Sequence, residues 1–284
     1  MPDFSDILLT ADYDRTLTAP DSTIPARNLE AIGYFMENGG AFTVNTGRSV
    51  PMSRAFLDKV PTNVPLLLYN GSAAYDRETG MLSQLHPIGL ELWQTVEKLL
   101  NWFPDLVVEV QGVNAHYRFT PNDRWDAFCA HNGCAHAFAH PGEDLGPFLK
   151  FSIYGQIRDV AVSDLFEGNA AELARMDEAE RFLRRQFAGE LEIFRAGARI
   201  IDCHAKGVSK NRAARELQAR LNRKTLVCVG DAHNDIPMLE GADYAFCPAD
   251  GVVAGRFPNV CKCADGAVAD VIYEKIPEIL QKNP

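Results

Sequence analysis

Residues 8–18 read LLTADYDRTLT, and they set two aspartates, Asp12 and Asp14, directly after an apolar run. An apolar run of this kind predicts a buried β-strand, and the polar residues behind it mark the end of that strand. Two aspartates in such a place usually form a solvated turn or cap a helix. Their meaning therefore depends on what the rest of the chain brings to the same point.

The segments that follow alternate between helix and strand patterns. Residues 25–40, PARNLEAIGYFMENGG, have apolar residues at helical spacing, a proline near the start and two glycines at the end. Residues 41–49, AFTVNTGRS, and 64–72, VPLLLYNGS, each predict a strand that ends in small polar residues. This order indicates a parallel sheet, in which ligands bind beyond the carboxyl ends of the strands. Three polar residues lie at such ends: Asp12, Thr46 and Asn70.

The same alternation returns near the end of the chain. Residues 207–221, GVSKNRAARELQARL, predict an amphipathic helix, and residues 225–230, TLVCVG, predict a strand. Residues 231–241, DAHNDIPMLEG, predict a polar loop that opens a helix. The sheet is therefore expected to continue here.

The middle of the chain differs from both ends. Residues 81–202 contain all three tryptophans and five of the seven histidines. The pattern of apolar residues there predicts several strands and two helices, one over about 89–103 and the other over about 170–187. We therefore predict an α/β protein with a Rossmann-like parallel-sheet core, residues 1–80 and 203–284, split by an inserted α+β cap domain.

Composition and charge limit the partners. The chain has 284 residues, of which 46% are hydrophobic and 23% charged, as in ordinary globular proteins. Its formal net charge of -10 repels polyphosphate backbones and anionic lipid, so we predict neither nucleic acid nor membrane as a partner. Seven scattered cysteines and the lack of a long apolar run predict a cytoplasmic protein, whose oligomeric state is left open.

Polar groups at the predicted strand ends and helix starts of the two core segments form one set: Asp12, Asp14, Thr46, Lys210, Asp231, Asn234 and Asp235. Carboxylates that converge repel one another unless a cation neutralises them, and such oxygen ligands suit Mg²⁺. Asp12 could then attack a phosphorus atom while Lys210 and Thr46 neutralise the phosphoryl oxygens, which would form an aspartyl-phosphate. Asp14 could protonate the leaving alkoxide and then deprotonate water.

Four motifs in this order resemble the haloacid dehalogenase (HAD) superfamily, specifically its Cof-like phosphatases with a type II, B-subtype cap. Residues 12–16, DYDRT, look like the first motif, DxDxT, and residues 45–48, NTGR, are similar to the second. Residues 207–213, GVSKNRA, resemble the stretch with the third-motif lysine, and residues 230–235, GDAHND, look like the fourth motif. The resemblance covers nearly the whole chain.

The resemblance implies a role for each matching position. It makes Asp12 the nucleophile and Asp14 the general acid and base. The implied metal is Mg²⁺, at Asp12, Asp14 through its backbone carbonyl, Asp231 and Asp235. The implied phosphate-binding residues are Thr46, Gly47, Lys210 and Asn234. The implied activity is the hydrolysis of small phosphorylated metabolites, sugar phosphates or related phosphoesters.

Some positions leave alternatives open. Arg15 stands where the family most often has glycine, and its long cation either points to solvent or reaches toward an anionic leaving group. The candidate substrate contacts are Arg15, Arg48, Asn70 and Gly71. Lys206 precedes a glycine, as the family's lysine often does, but the surrounding GVS favours Lys210.

Two rival functions use the same residues. A hexose phosphomutase of this cap subtype would keep water away from the phosphorylated intermediate. A protein that only binds a phosphorylated ligand would keep the motifs without turnover. A receiver-type signalling module is disfavoured, because its phosphorylated aspartate lies in mid-chain, whereas Asp12 lies near the start.

Residues 129–140, CAHNGCAHAFAH, raise the question of zinc. The candidate ligands are Cys129, His131, Cys134, His136 and His140. Their spacing matches none of the common structural zinc patterns, and there is no paired C-x₂-C. We therefore expect an ordinary loop of the cap.

Overall fold

The computed structural model describes residues 2–54 and 59–282. Two compact units make up the chain. The core unit comprises Met1–Gly47, Asp58–Gln84 and Ser209–Pro284, and the cap unit comprises Arg48–Leu57 and Leu85–Val208.

The strands and helices are numbered in chain order. The strands are β1 (Ile7–Ala11), β2 (Ala41–Val44), β3 (Leu66–Leu68), β4 (Ala73–Tyr75), β5 (Leu82–Ser83), β6 (Val107–Gly112), β7 (His116–Arg118), β8 (His136–Phe138), β9 (Phe148–Tyr154), β10 (Leu191–Gly197), β11 (Ile200–Ala205), β12 (Thr225–Val229), β13 (Tyr244–Pro248) and β14 (Asn259–Val260). The helices are α1 (Ala26–Glu37), α2 (Val50–Ser53), α3 (Leu92–Trp102), α4 (Asp123–His131), α5 (Ala170–Gln186), α6 (Lys210–Arg220), α7 (Ile236–Glu240), α8 (Ala267–Asp270) and α9 (Ile276–Lys282).

The core unit is built on a parallel sheet with the strand order β14-β13-β12-β1-β2. Strand β1 lies inside this sheet, and all five of its residues are buried, as expected of a strand covered on both faces. Leu8 of β1 belongs to an apolar cluster with Leu217 of α6 and Met238 of α7. Because β1 and β12 are neighbours and parallel, the residues that follow them meet at one edge of the sheet.

Strand β3 continues the sheet through a parallel bridge between Asn45 and Leu67. It also begins a small antiparallel sheet with the order β3-β4-β5. The loops after β1, β2 and β3 therefore lie beside one another, as the alternation in the sequence predicts.

The cap unit is an α+β structure around a six-stranded sheet with the order β10-β11-β9-β6-β7-β8. Its pairs are antiparallel except for β7 with β8. Helices α3 and α5 correspond to the two predicted helices, and Leu99 and Leu183 from them join an apolar cluster with Phe151 of the sheet. The predicted fold class, a parallel-sheet core with an inserted α+β domain, is confirmed.

Helix α4 of the cap unit is not apparent from the sequence. It begins at an N-cap, Asn122, whose side-chain oxygen accepts a hydrogen bond from Trp125 N–H over 3.0 Å. Only three of its nine residues are buried, Trp125, Phe128 and Cys129. These three residues have helical spacing, i, i+3 and i+4, but they span little more than one turn, so packing against the rest of the cap unit is needed to stabilise a helix this short.

Candidate active site

Asp12 and Asp231 follow neighbouring parallel strands of the core unit. Ala11 pairs with Val229, and the Asp12 N–H donates to the Val229 carbonyl over 2.9 Å. Both carboxylates are buried. One oxygen each of Asp12, Asp231 and Asp235 lies within 4.8 Å of the others. The loops after β1 and β12 thus bring three carboxylates to one point.

Lys210 lies among these carboxylates. It is the first residue of α6, where the Ser209 side chain caps the helix by accepting from Arg212 N–H. Its ammonium group is buried and donates to Asp12 Oδ1 and, over 2.6 Å, to Asp235 Oδ1. The alternative lysine, Lys206, lies elsewhere: its half-exposed side chain pairs with Glu192 over 2.8 Å in the cap unit.

Asp235 organises the loop that carries Asp231. Its second oxygen accepts hydrogen bonds from the backbone N–H groups of Asp231 and Ala232, both over 3.0 Å. A Cβ at Gly230 would lie 2.7 Å from the Asp235 Cβ, so only glycine fits where the chain enters this loop. Both oxygens of Asp235 are therefore engaged by groups of the protein.

Two residues that sequence reasoning left without a role support the site. The Thr16 hydroxyl donates to Asp231 Oδ1 over 2.9 Å in a buried position. Asn45 donates from its amide to the Lys210 carbonyl over 2.9 Å and so holds the start of α6. Thr16 is the last residue of the DxDxT motif and Asn45 is the first residue of NTGR. Their positions in the two motifs are therefore the sequence signal that could have identified them as residues of the site.

The negative charges of this cluster outnumber its positive charges. Burial raises the pKa of Asp12, and although Lys210 opposes this effect the pKa stands at about 7. Burial and then the charges of Asp235 and Asp12 raise the pKa of Asp231 well above its ordinary value. Burial lowers the pKa of Lys210, but the carboxylates of Asp12 and Asp235 outweigh burial and raise it. One lysine does not compensate three carboxylates, whereas a divalent cation would.

The DYDRT segment leaves β1 in a tight turn over Tyr13–Leu17. Asp14 has a non-helical backbone, with φ -74° and ψ 122°, and a partly exposed side chain. Arg15 is exposed and adopts φ +62°, while its N–H donates to Thr18 Oγ1 over 3.2 Å. A left-handed backbone is unstrained for glycine and costs a residue with a side chain about 1–2 kcal/mol.

The loops after β2 and β3 contact each other. Asn70 N–H donates to the Thr46 carbonyl over 3.0 Å, and both residues are buried. A Cβ at Gly47 would lie 3.0 Å from Asn70 Oδ1, so the small residue allows the close approach. Asn234 reaches the same amide oxygen at 3.4 Å. These residues of the core unit are thus assembled, whereas Arg48 belongs to the cap unit.

The described residues contain a second cluster of metal-binding side chains, in the cap unit. Cys129 and Cys134 lie with His116, and one ligand atom of each is within 4.8 Å of the others. The pKa of Cys134 is lowered to about 6, first by the hydrogen bond from Cys129 and, against burial, by His116. His136, a candidate from the sequence, instead turns its Nδ1 to the Cys134 carbonyl, 2.9 Å away.

A family model described as haloacid dehalogenase-like hydrolase matches residues 9–253. No relative is found among curated proteins. None of the helices among the described residues is long and apolar enough to cross a membrane.

Solved structures share the fold. A haloacid dehalogenase-like hydrolase from Bacteroides thetaiotaomicron is 17% identical, with a TM-score of 0.77 over 95% of this chain and 98% of that one. A protein described as an HAD/COF-like hydrolase from Plasmodium vivax is 22% identical, with a TM-score of 0.75 over 97% of each chain. A protein described among the phosphatases of the HAD superfamily, also from B. thetaiotaomicron, is 17% identical, with a TM-score of 0.73 over 93% of each chain.

Proposed function

Because the chain belongs to the haloacid dehalogenase-like hydrolases, we propose that it is a Mg²⁺-dependent phosphatase of small phosphorylated metabolites, sugar phosphates or related phosphoesters. The reaction would proceed through an aspartyl-phosphate on Asp12. One observation carries the proposal: three buried carboxylates lie together, and a single buried lysine pairs with two of them. Such a charge excess is costly for folding, and sites of this kind are concentrated where a cation and a charged substrate bind.

The donor set fits Mg²⁺, which prefers oxygen ligands and usually takes one or two carboxylates directly. Asp12 and Asp231 would hold the ion together with the backbone carbonyl of Asp14. Asp235 would support it by positioning Lys210 and the Asp231 backbone, because both of its oxygens already accept hydrogen bonds. When bound, Mg²⁺ supplies positive charge for the phosphoryl oxygens.

The protein groups account for the two half-reactions. A carboxylate oxygen of Asp12 forms a bond to phosphorus while the ester P–O bond breaks, and Asp14 gives its proton to the departing alkoxide. Asp14 then takes a proton from water, whose oxygen attacks phosphorus and releases inorganic phosphate and the Asp12 carboxylate. Lys210 neutralises the transferred phosphoryl group, and Thr46, with Gly47 and Asn234, binds its oxygens.

The family and one neighbour support the proposed substrate class. The relative from B. thetaiotaomicron that is described among phosphatases supports a phosphate monoester as substrate. We place the chemistry in residues 1–80 and 203–284 and the choice of leaving group in the inserted residues 81–202. The proposed substrate contacts are Arg15, Arg48, Asn70 and Gly71. All seven cysteines are free thiols, which supports a reducing, cytoplasmic setting.

The test is phosphate release from a panel of sugar phosphates and other phosphoesters, with Mg²⁺ and with a chelator. We expect Mg²⁺-dependent turnover in the wild type and none in Asp12→Asn, which cannot form the intermediate. Asp6→Asn is the matched control, because Asp6 is half-exposed and pairs with Lys224 at the surface. The wild type quenched in acid should carry a phosphoryl group on Asp12 by mass spectrometry.

Three outcomes would contradict the proposal. Turnover that survives Asp12→Asn would exclude the aspartyl-phosphate. Isomerisation of a hexose phosphate without net phosphate release would indicate a mutase. Binding of phosphoesters without turnover across the panel would indicate a non-catalytic protein.

A further inference from the structure

Two cysteines and a histidine meet in the cap unit, away from the residues of the proposed reaction. Cys129 is on the last turn of α4, Cys134 follows that helix, and His116 begins β7. All three are buried, with at most 5% of any of them exposed. Two thiols and an imidazole at this mutual distance are ligands for a soft or borderline divalent cation rather than for Mg²⁺.

The backbone holds the two sulfur atoms together. Cys134 N–H donates to the Cys129 carbonyl over 2.9 Å, which closes the turn after α4. Gly133, in that turn, has φ +63°, a conformation that glycine adopts without strain. The cysteines are therefore brought together by a local structure that does not depend on a metal.

The imidazole of His116 is oriented by two further buried groups. Its Nδ1 lies 3.1 Å from Glu109 Oε2, and its Nε2 lies 2.6 Å from Ser49 Oγ. A hydrogen bond from Nδ1–H to a carboxylate is the usual way in which proteins orient a metal-binding histidine, whose Nε2 becomes a ligand when it has lost its proton. Glu109 and Ser49 thus fix the orientation of the histidine beside the two thiols.

The geometry points to a zinc site in the cap unit, formed by Cys129 Sγ, Cys134 Sγ and the His116 imidazole. Around a tetrahedral Zn²⁺ with bonds of about 2.0–2.3 Å, neighbouring ligand atoms are about 3.5–3.8 Å apart. The three ligand atoms lie within 4.8 Å of one another, so no distance between them has to shorten by more than about 1.3 Å. The Ser49 hydroxyl beside Nε2, or a water molecule in its place, would complete four ligands. The thiol and imidazolium protons would be released to solvent, and two thiolates would neutralise the ion.

The sequence alone pointed to other histidines. His136 contacts the Cys134 carbonyl through Nδ1, and its Nε2 lies 3.8 Å from Asp126 Oδ1, so the ring is already engaged. The ligand histidine comes instead from a strand, 13 residues before Cys129. No local spacing pattern predicts that arrangement, because the pairing of β7 with β8 creates it: the His116 N–H donates to the carbonyl of Ala135, the residue after Cys134, over 2.9 Å.

The test uses Co²⁺ as a spectroscopic probe for Zn²⁺, with the purified full-length chain kept reduced. We expect a near-ultraviolet sulfur-to-cobalt charge-transfer band that saturates at one ion per chain and disappears when Zn²⁺ is added. Cys129→Ser and Cys134→Ser should each lose at least half of the band's intensity, and the double variant should lose the band entirely. Glu109→Gln should weaken Zn²⁺ binding by roughly 10–100-fold, because the histidine loses the carboxylate that orients it.

The control variant is Cys203→Ser, which removes a buried cysteine of the same unit outside the cluster and should keep the band. Circular dichroism establishes that each variant is folded, and zinc should raise the thermal midpoint of the wild type more than that of Cys134→Ser. A folded wild type that gives no thiolate band with Co²⁺ would overturn the inference. So would a band that survives both ligand substitutions.

This inference does not depend on the proposed phosphatase activity. The carboxylates of the active site contain no sulfur, so Co²⁺ bound there gives no thiolate band. If the protein releases phosphate but gives no thiolate band with Co²⁺, only the zinc site is refuted. If the band is present but no phosphoester is hydrolysed, only the phosphatase activity is refuted.

Discussion

Gly71 lies directly after the loop that carries Asn70, and it offers a sharp test of how the active site is assembled. Its backbone has φ +98°, and an added Cβ would overlap the Ser209 carbonyl oxygen and lie 3.0 Å from Ala213 Cβ. Ser209 caps the helix that begins with Lys210. The packing of residue 71 against this helix start therefore helps to position the lysine.

We expect Gly71→Ala to lower the free energy of unfolding by about 2–4 kcal/mol. A side chain in a left-handed backbone costs about 1 kcal/mol after the loss of unfolded-state entropy is counted. Overpacking against a backbone carbonyl adds about 1–3 kcal/mol. Displacement of Ser209 should move Lys210 and lower kcat by roughly tenfold or more.

The matched control is Gly80→Ala in the same unit. Gly80 also has positive φ, +68°, but no atom lies within 4 Å of its added Cβ, so only the backbone cost of about 1 kcal/mol should appear. Urea denaturation gives the two unfolding free energies, and phosphate release gives kcat. The reasoning is refuted if Gly71→Ala is destabilised no more than Gly80→Ala, or if it keeps full kcat.

Two further predictions concern the carboxylates. Thr16→Val removes the hydrogen bond to Asp231, so it should cost about 1–3 kcal/mol of stability and weaken Mg²⁺ binding roughly 10–100-fold in a calorimetric titration. Thr10→Val should cost little, since the Thr10 hydroxyl is buried without a hydrogen-bond partner, and equal losses in both variants would contradict this. Without metal, folded Asp12 keeps its proton up to a pKa of about 7, whereas the unfolded chain loses it near 3.8. Protonated Asp12 therefore stabilises the folded state fully below about pH 4, and this stabilisation is lost as the pH rises through 7, because the unfolded chain gives up the proton more readily. The thermal midpoint in chelator should fall between pH 5 and pH 8, and Mg²⁺ should raise the midpoint more at pH 8; a Mg²⁺ effect that is equal at both values would refute the argument.

The sequence was sufficient for the fold class, because local periodicity decides it. An apolar strand before Asp12, helical spacing in residues 25–40 and the return of the pattern after residue 205 predict a parallel sheet with an insertion. The match of the family model over residues 9–253 confirms the resemblance that the four motifs indicated. Helix α4 was missed, because its three buried residues have helical spacing over little more than one turn, which is too short a pattern to predict a helix.

The sequence by itself also determined which residues are the candidates for the chemistry, since the motifs contain the carboxylates, the lysine and the hydroxyl. Only the tertiary structure decided how they are connected: that Lys210 bridges Asp12 and Asp235, that Asp235 holds the Asp231 loop, and that Thr16 supports Asp231. The Thr16–Asp231 contact spans 215 positions in the chain. The order of parallel strands in the sheet creates such contacts, and no local pattern encodes it. The same reason explains why His116, rather than a histidine near the cysteines in sequence, completes the cluster in the cap unit.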